Sequence, residues 1–257
     1  MLHKKFIDKN ARILFNGELL PSAPADLFER LGLLQAATPR LLQRGSVLFF
    51  THNDMPMVLK HYHRGGLLSR LVADTYWRPA FPSSHQPRMW QEFTLLAKLR
   101  QWGLPVPEPV AARCLDTSPL TYRGDLITRE IRNTQTLATR LSQTALSAAE
   151  WRSIGQTIAR FHNLQVCHAD LNARNVLLDD AGHSHLVDFD KSVIKPANHT
   201  QYWMQDNLAR LRRSLNKLLC SDASTHYRDA DWQHLLQGYE TAGPLPVLEL
   251  GAKRKSY

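Results

Sequence analysis

Apolar residues are arranged in two ways along this chain. In the first half they form short runs bounded by turn residues. Val47-Leu48-Phe49-Phe50 and Met57-Val58-Leu59 flank His52-Asn53-Asp54, which predicts a hairpin with Lys60 at the end of its second strand. Met89, Phe93, Leu96 and Arg100 then recur at helical spacing, with Glu92 beside them. Gly103 closes that helix, and Pro105, Pro107 and Pro109 force an extended stretch leading into strands at 109–113 and 120–131. After Thr139 the period changes. Ser147-x-x-Glu150 reads as a capping box ahead of Trp151, Ile154, Ile158 and Phe161. Two short strands, 175–178 and 185–189, enclose the turn Asp179-Asp180-Ala181-Gly182. Met204, Leu208, Leu211, Leu215 and Leu218 make one stripe of a long helix, and Trp232, Leu235 and Tyr239 a face of a shorter one. The expectation is an α+β chain of two lobes joined near 130–136. Residues 1–132 hold the strands and one helix, and 133–257 are mainly helical.

Composition narrows the class. Of 257 residues, 43% are hydrophobic and 21% charged, too apolar for a disordered chain. The longest apolar run, 47–50, is far short of a spanning helix, and Lys4, Lys5, Lys9 and Arg12 interrupt any leader-like segment. Cys114, Cys167 and Cys220 form no C-x-x-C pair, which suits a reducing compartment. The formal charge of +9 favours a polyanionic partner: nucleic acid, an anionic membrane face or a phosphorylated substrate. Much of the positive charge near Lys60 falls in an insert at 61–91, where Arg64, Arg70, Arg78 and Arg88 alternate with aromatic residues. His61, His63 and His85 in that insert show no strong metal-ligand spacing.

The chemistry concentrates in His168-Ala169-Asp170-Leu171-Asn172-Ala173-Arg174-Asn175 and Asp188-Phe189-Asp190. Transfer of a γ-phosphoryl group needs a carboxylate at the attacking hydroxyl and oxygen ligands for the Mg²⁺ that bridges the phosphates. Asp170 suits the first task, and Asn175 and Asp188 the second. This H-x-D-L-x-x-x-N and D-F-x pattern is the catalytic-loop signature of the protein-kinase-like fold. Such a site needs ATP, a strand-borne Lys on its phosphates and a helical Glu holding that Lys. Lys60 and Glu92 are the candidates; the bland alternatives are a strand-end lysine and a solvated helix charge. Gly45, in Gln43-Arg44-Gly45-Ser46-Val47, either brings backbone N–H groups to the phosphates or forms a plain turn.

Four runs carry a more specific resemblance: His61-Tyr62-His63-Arg64-Gly65-Gly66-Leu67, the stretch Gly103-Leu104-Pro105-Val106-Pro107 with the residues to Arg113, the catalytic loop, and Leu186-Val187-Asp188-Phe189-Asp190-Lys191. Over about residues 40–240 the chain resembles the 3-deoxy-D-manno-octulosonic acid (Kdo) kinases of Gram-negative bacteria. The resemblance implies ATP-dependent phosphorylation of the 4-hydroxyl of Kdo on a lipid A precursor, in lipopolysaccharide core assembly. It places the work peripherally at the cytoplasmic face of the inner membrane, with no nucleic acid and no obligate protein partner. The alternatives are another sugar kinase of the same fold, such as a core heptose kinase, and a catalytically dead basic binding module.

The departures from protein kinases are informative. Asp190 stands where they carry a glycine, and Asn172 where serine/threonine kinases carry a lysine. No A-P-E follows in the short stretch after Asp190. A small or lipid-linked alcohol is therefore the expected acceptor, with the 61–91 insert and Lys253-Arg254-Lys255 as its docking surface.

Overall fold

A computed structural model describes residues 3–8, 10–37, 47–62, 76–77, 86–118, 121–196, 202–222 and 224–242. Gly45, His63, Arg64, Arg70, Arg78, His85 and Lys253-Arg254-Lys255 lie outside these residues. The fold is mixed α+β, and the chain forms two compact units. The first is Met1–Ile131 with Phe189–Lys191, and the second is Arg132–Asp188 with Ser192–Tyr257.

The first unit is an antiparallel sheet with two helices. Its strands are β1 (His3–Asp8), β2 (Ala11–Asn16), β3 (Val47–His52), β4 (Met55–His61), β5 (Tyr76–Trp77), β6 (Pro109–Ser118) and β7 (Thr121–Arg129); the helices are α1 (Ala25–Ala37) and α2 (Arg88–Gln101). Strand order is β1-β2-β6-β7-β4-β3, with β5 paired to β7. The β3–β4 turn holds Asn53 and Asp54 at φ 50 and 58, the left-handed pair that a two-residue hairpin loop demands. Alternation along β4 sets the position of Lys60. Met57 and Leu59 are buried with Phe28 and Leu31 of α1, so Lys60 points from the opposite face. On β7, Ile127 joins the α1 core, while Gly124 leaves room for Met89 of α2. Trp90 of α2 donates its indole N–H to the Ala112 carbonyl at 3.2 Å. Gly103, at φ +69, ends the helix as expected, with Leu104 N–H bonded to Leu99 O at 3.0 Å.

Among the described residues two helices, not one, thus occupy this half. The sequence reading passed over α1 and the β1–β2 hairpin. β1 hides its own signal, because it is an edge strand whose Phe6 and Ile7 are exposed.

The second unit comprises β8 (Thr134–Thr136), α3 (Leu137–Gln143), α4 (Ala148–Asn163), β9 (Val166–Cys167), β10 (Val176–Asp179), β11 (Ser184–Leu186), β12 (Val193–Ile194), α5 (Tyr202–Ser221) and α6 (Asp229–Thr241). Small sheets β11-β10-β8 and β12-β9 carry the loops between the helices. The Ser147–Glu150 capping box forms as read, and Trp151, Ile154, Ile158 and Phe161 are all buried. On α5 the buried line is Trp203, Asn207, Leu211 and Leu215; Leu211 and Leu215 are buried as expected, while Met204, Leu208 and Leu218 are half-buried and Asn207 is held inside by hydrogen bonds. The strand expected at 185–189 stops at Leu186, since Asp188 takes φ 64 and leaves the extended region.

Helices α4 and α6 touch backbone to backbone. A Cβ on Gly155 would collide with the Leu235 carbonyl oxygen, and one on Gly238 with the Arg152 carbonyl oxygen. Gly155→Ala and Gly238→Ala should therefore each cost several kcal/mol, about the scale of an overpacked core. Chemical denaturation would read this as a lower midpoint; an unchanged midpoint would refute the close approach.

At the same junction His162 is buried, with its Nδ1 2.8 Å from the Tyr239 hydroxyl and its ring edge-on to Trp203. Burial pushes its pKa down from 6.5 to about 4. A depressed histidine stabilises the fold fully above pH 6.5 and loses that contribution as pH falls towards 4. The loss amounts to about 3 kcal/mol at one proton per molecule. His162→Gln should flatten this limb of the stability–pH profile. A limb as steep as the wild type's would assign the acid sensitivity elsewhere.

Candidate functional site

Helix α4 ends at Asn163, and Gln165, at φ 59, turns the chain into β9 and the loop that follows. His168 anchors this loop. Its Nδ1 accepts the Asp170 backbone N–H at 3.2 Å, so the proton sits on Nε2, which donates to Val187 O at 3.0 Å. Asn207 of α5 brackets the same residue, accepting from His168 N–H at 3.2 Å and donating to His168 O at 3.0 Å. A second tie, Ala173 N–H to Ser214 Oγ at 3.2 Å, pins the loop two turns further along α5.

Within this frame Asp170 is presented to solvent, its side chain 58% exposed. Asn172 Nδ2 donates to Asp170 Oδ2 at 3.0 Å, and Arg210 Nη1 stands 3.5 Å from Oδ1. Asn172, the residue in place of the usual lysine, thus orients the carboxylate. Asn175 Nδ2 donates to Asp170 O at 2.9 Å, which turns its Oδ1 the other way, as a ligand oxygen would need. Asn175 O accepts from Val187 N–H at 3.0 Å, one residue before Asp188, so the two expected metal ligands are neighbours through the backbone. Asp188 is exposed and held in the left-handed region at φ 64, which Asp tolerates better than most residues. One amide and one carboxylate leave the remaining coordination to phosphate oxygens and water, an arrangement that fits Mg²⁺. Among the described residues, no group of three His, Cys, Asp or Glu side chains is placed to hold a metal ion.

The first unit contributes a second cluster. Lys60 Nζ lies 2.8 and 3.2 Å from the two carboxylate oxygens of Glu92, which is buried on α2. The Tyr62 hydroxyl also donates to this carboxylate, and so does Phe189 N–H, at 3.1 Å. The expected Lys60–Glu92 partnership is therefore present, across 32 residues of sequence. Beside it, Arg88 forms a two-point ion pair with Asp190, its Nε 3.1 Å from Oδ1. Arg88 is thus committed within the site, and the sequence reading was mistaken to count it among docking charges. His61 is likewise engaged, with Asp125, which also binds Arg113 Nε at 2.8 Å. Burial works to raise the Asp125 pKa, but the His61 hydrogen bond and the Arg113 guanidinium outweigh it and hold the carboxyl below its usual range.

Sequence reasoning missed Tyr62, Arg88, Asn207 and Arg210. Asp190 offered a signal for Arg88, because a charge in place of glycine needs a counter-charge. Arg210 gave none, lying 40 positions from Asp170 on a separate helix.

The model of the lipopolysaccharide kinase (Kdo/WaaP) family matches residues 35–239, most of the chain. The chain belongs to this family. A protein of Mannheimia succiniciproducens named 3-deoxy-D-manno-octulosonic acid kinase is 40% identical over 203 residues, 77% of this chain and 82% of that one. One of the same name from Photobacterium profundum is 36% identical over 236 residues, 90% of this chain and 95% of that one. Among solved structures, "WaaP in complex with acyl carrier protein" aligns with 83% of this chain and 86% of that chain at 17% identity and a TM-score of 0.48. As a member of this family the chain is a phosphotransferase that uses ATP and acts on a hydroxyl group.

Arg88 and Asp190 should behave as one device. Arg88→Gln and Asp190→Asn should each lower kcat about tenfold, and the double variant should lose no more than either alone. Steady-state phosphoryl transfer reads this out, and additive losses would show that the two residues act separately.

Proposed function

We propose that this kinase transfers the γ-phosphoryl group of ATP to the 4-hydroxyl of a Kdo sugar on a lipid A precursor, in lipopolysaccharide core assembly. The observation that carries this reading is its 36–40% identity, over most of both chains, to proteins named 3-deoxy-D-manno-octulosonic acid kinase. The geometry supplies matching parts. Asp170, oriented by Asn172, accepts the acceptor hydroxyl's proton as its oxygen bonds to the γ-phosphorus and the bond to the ADP oxygen breaks. Lys60, held by Glu92, keeps an ammonium on the ATP phosphates. Asn175 and Asp188 are the residues that would hold Mg²⁺, which when bound neutralises phosphate charge.

The enzyme works, in this reading, as a peripheral protein on the cytoplasmic face of the inner membrane. No helix among the described residues is long and apolar enough to cross a membrane. The net charge of +9 supports attraction to anionic lipid, at about 1 kcal/mol for each Lys or Arg near the surface. Arg64, Arg70 and Arg78 remain the docking candidates; Arg88 does not.

Purified enzyme with labelled ATP should phosphorylate a Kdo-bearing lipid A precursor in preference to heptose or casein. Activity should vanish with EDTA and return with Mg²⁺. Asp170→Ala should lower kcat by about 10²- to 10⁴-fold while nucleotide still binds. Transfer to heptose or casein but not to the Kdo lipid would overturn the substrate, and near-full turnover of Asp170→Ala would remove that residue from the mechanism.

A further inference from the structure

A groove of about 510 Å³ opens on the second unit beside Asp170, between the catalytic loop and the exposed side of α5. Its wall carries Arg174, Arg210, Arg213 and Lys217, with Asp170 as the one carboxylate among its lining residues. Only Arg210 has a carboxylate nearby, and Arg174, Arg213 and Lys217 face none among the described residues. The groove is firmly built. Asn207 and Ser214 fix α5 to the loop at His168 and Ala173, so the cations on the helix hold a set position relative to Asp170. Like charges gathered at a fixed wall repel one another, and the arrangement is relieved by a ligand that brings negative charge.

We infer that this groove is the acceptor subsite, and that it recognises a substrate with two acidic groups set at different distances from the reacting hydroxyl. The inference rests on the function proposed above. Arg210 stands at the Asp170 end. Its pairing with Asp170 is solvent-exposed and weak, and is readily exchanged for a substrate anion. That anion must lie within one sugar ring of the hydroxyl, and in Kdo the carboxyl-bearing and 4-hydroxyl-bearing carbons are separated by a single methylene. Lys217 lies two turns further along α5, about 10 Å at 1.5 Å per residue. A phosphate one glycosidic linkage away on the lipid fits that distance. The helix thus acts as a ruler, with carboxylate at Arg210 and phosphate at Arg213 and Lys217.

The test crosses protein variants with acceptor variants. Three acceptors are used with the intact enzyme: the Kdo-bearing lipid A precursor, the same lipid with its sugar carboxyl reduced to an alcohol, and its dephosphorylated form. Arg213→Gln/Lys217→Gln should raise the KM for the full acceptor about ten- to a hundredfold, with the KM for ATP unchanged. This variant should no longer distinguish phosphorylated from dephosphorylated lipid. Arg210→Gln should lose the wild type's preference in kcat/KM for the carboxylate over the alcohol. Raising salt should shrink the wild type's discrimination, since exposed charges are screened within about 10 Å at 0.1 M. If wild type transfers phosphate to the Kdo lipid but the variants keep its acceptor KM and preferences, the groove is not the acceptor subsite and the kinase assignment stands. If Arg210→Gln loses phosphate discrimination instead, the order of the ruler is overturned. Absence of transfer to the Kdo lipid by wild type overturns the function and the subsite together.

Discussion

A carboxylate buried without partners is among the costliest things a fold can contain, and Glu92 is 3% exposed. It is tolerated because donors converge on it: the Lys60 ammonium from β4, the Tyr62 hydroxyl and the backbone N–H of Phe189. Lys60 and Tyr62 come from one stretch of chain and Phe189 from another about 130 residues on, so the carboxylate on α2 acts as a meeting point. β4 must be in register for Lys60 to face α2, and α2 must be seated for Glu92 to be buried. Such a pair adds little net stability over an apolar substitute, yet breaking one side is expensive. What it secures is geometry: an ammonium fixed in direction, 20% exposed and able to reach a ligand. Phe189 follows Asp188 directly in the chain, so the hydrogen bond that satisfies Glu92 also restrains the residue after a proposed metal ligand.

The second cluster poses a different problem, because the groups proposed to work there lie in water. Asp170, Asp188 and Arg174 are exposed, and exposed side chains are ordinarily free to reorient. Order comes instead from the layer beneath. His168, 2% exposed, bonds at both ring nitrogens, and Asn207, also buried, clamps its backbone from α5. Asn172 and Asn175 then transmit that rigidity upward, one to the Asp170 carboxylate and one to its carbonyl. Buried polar groups thus position the exposed ones.

This division explains what could be read from the sequence. The Lys60–Glu92 pairing and the closeness of Asp170, Asn175 and Asp188 were legible, because the chemistry proposed for them demands particular residue types at nearly fixed spacing. Helices α2, α4 and α6 were legible because their apolar stripes face a core, and their caps, the Ser147 box and Gly103, are local signals. α1 and β1–β2 carry no such chemistry, and an edge strand exposing Ile7 shows none of the alternation that marks a half-buried strand. The supporting residues were hidden for another reason. Asn207 and Arg210 act across about 40 positions, a distance fixed only once α5 packs against the loop. The buried face of α5 is legible only in part on the same account. Hydrophobic periodicity points to Leu211 and Leu215, which are buried, but not to Asn207, which hydrogen bonds to His168 hold inside.

Asp190 shows how one substitution reorganises its surroundings. A glycine after Asp-Phe permits backbone excursions that a residue with a Cβ resists. Here the backbone already takes left-handed values on both sides of the Phe189–Asp190 pair, at Asp188 and at Lys191, with φ 64 and 61. Non-glycine residues persist there only when their surroundings over-determine them. The surroundings supply two restraints: Glu92 holds the Phe189 N–H, and Arg88 grips the Asp190 carboxylate with two nitrogens. Both Arg88 and Glu92 sit on the first turns of α2, four residues apart and so on one face. A segment that is mobile by composition in many kinases is fixed here by charge. A single helix face therefore holds both Lys60 and the residues after Asp188, so the groups proposed to face the nucleotide are fixed by the chain's own contacts.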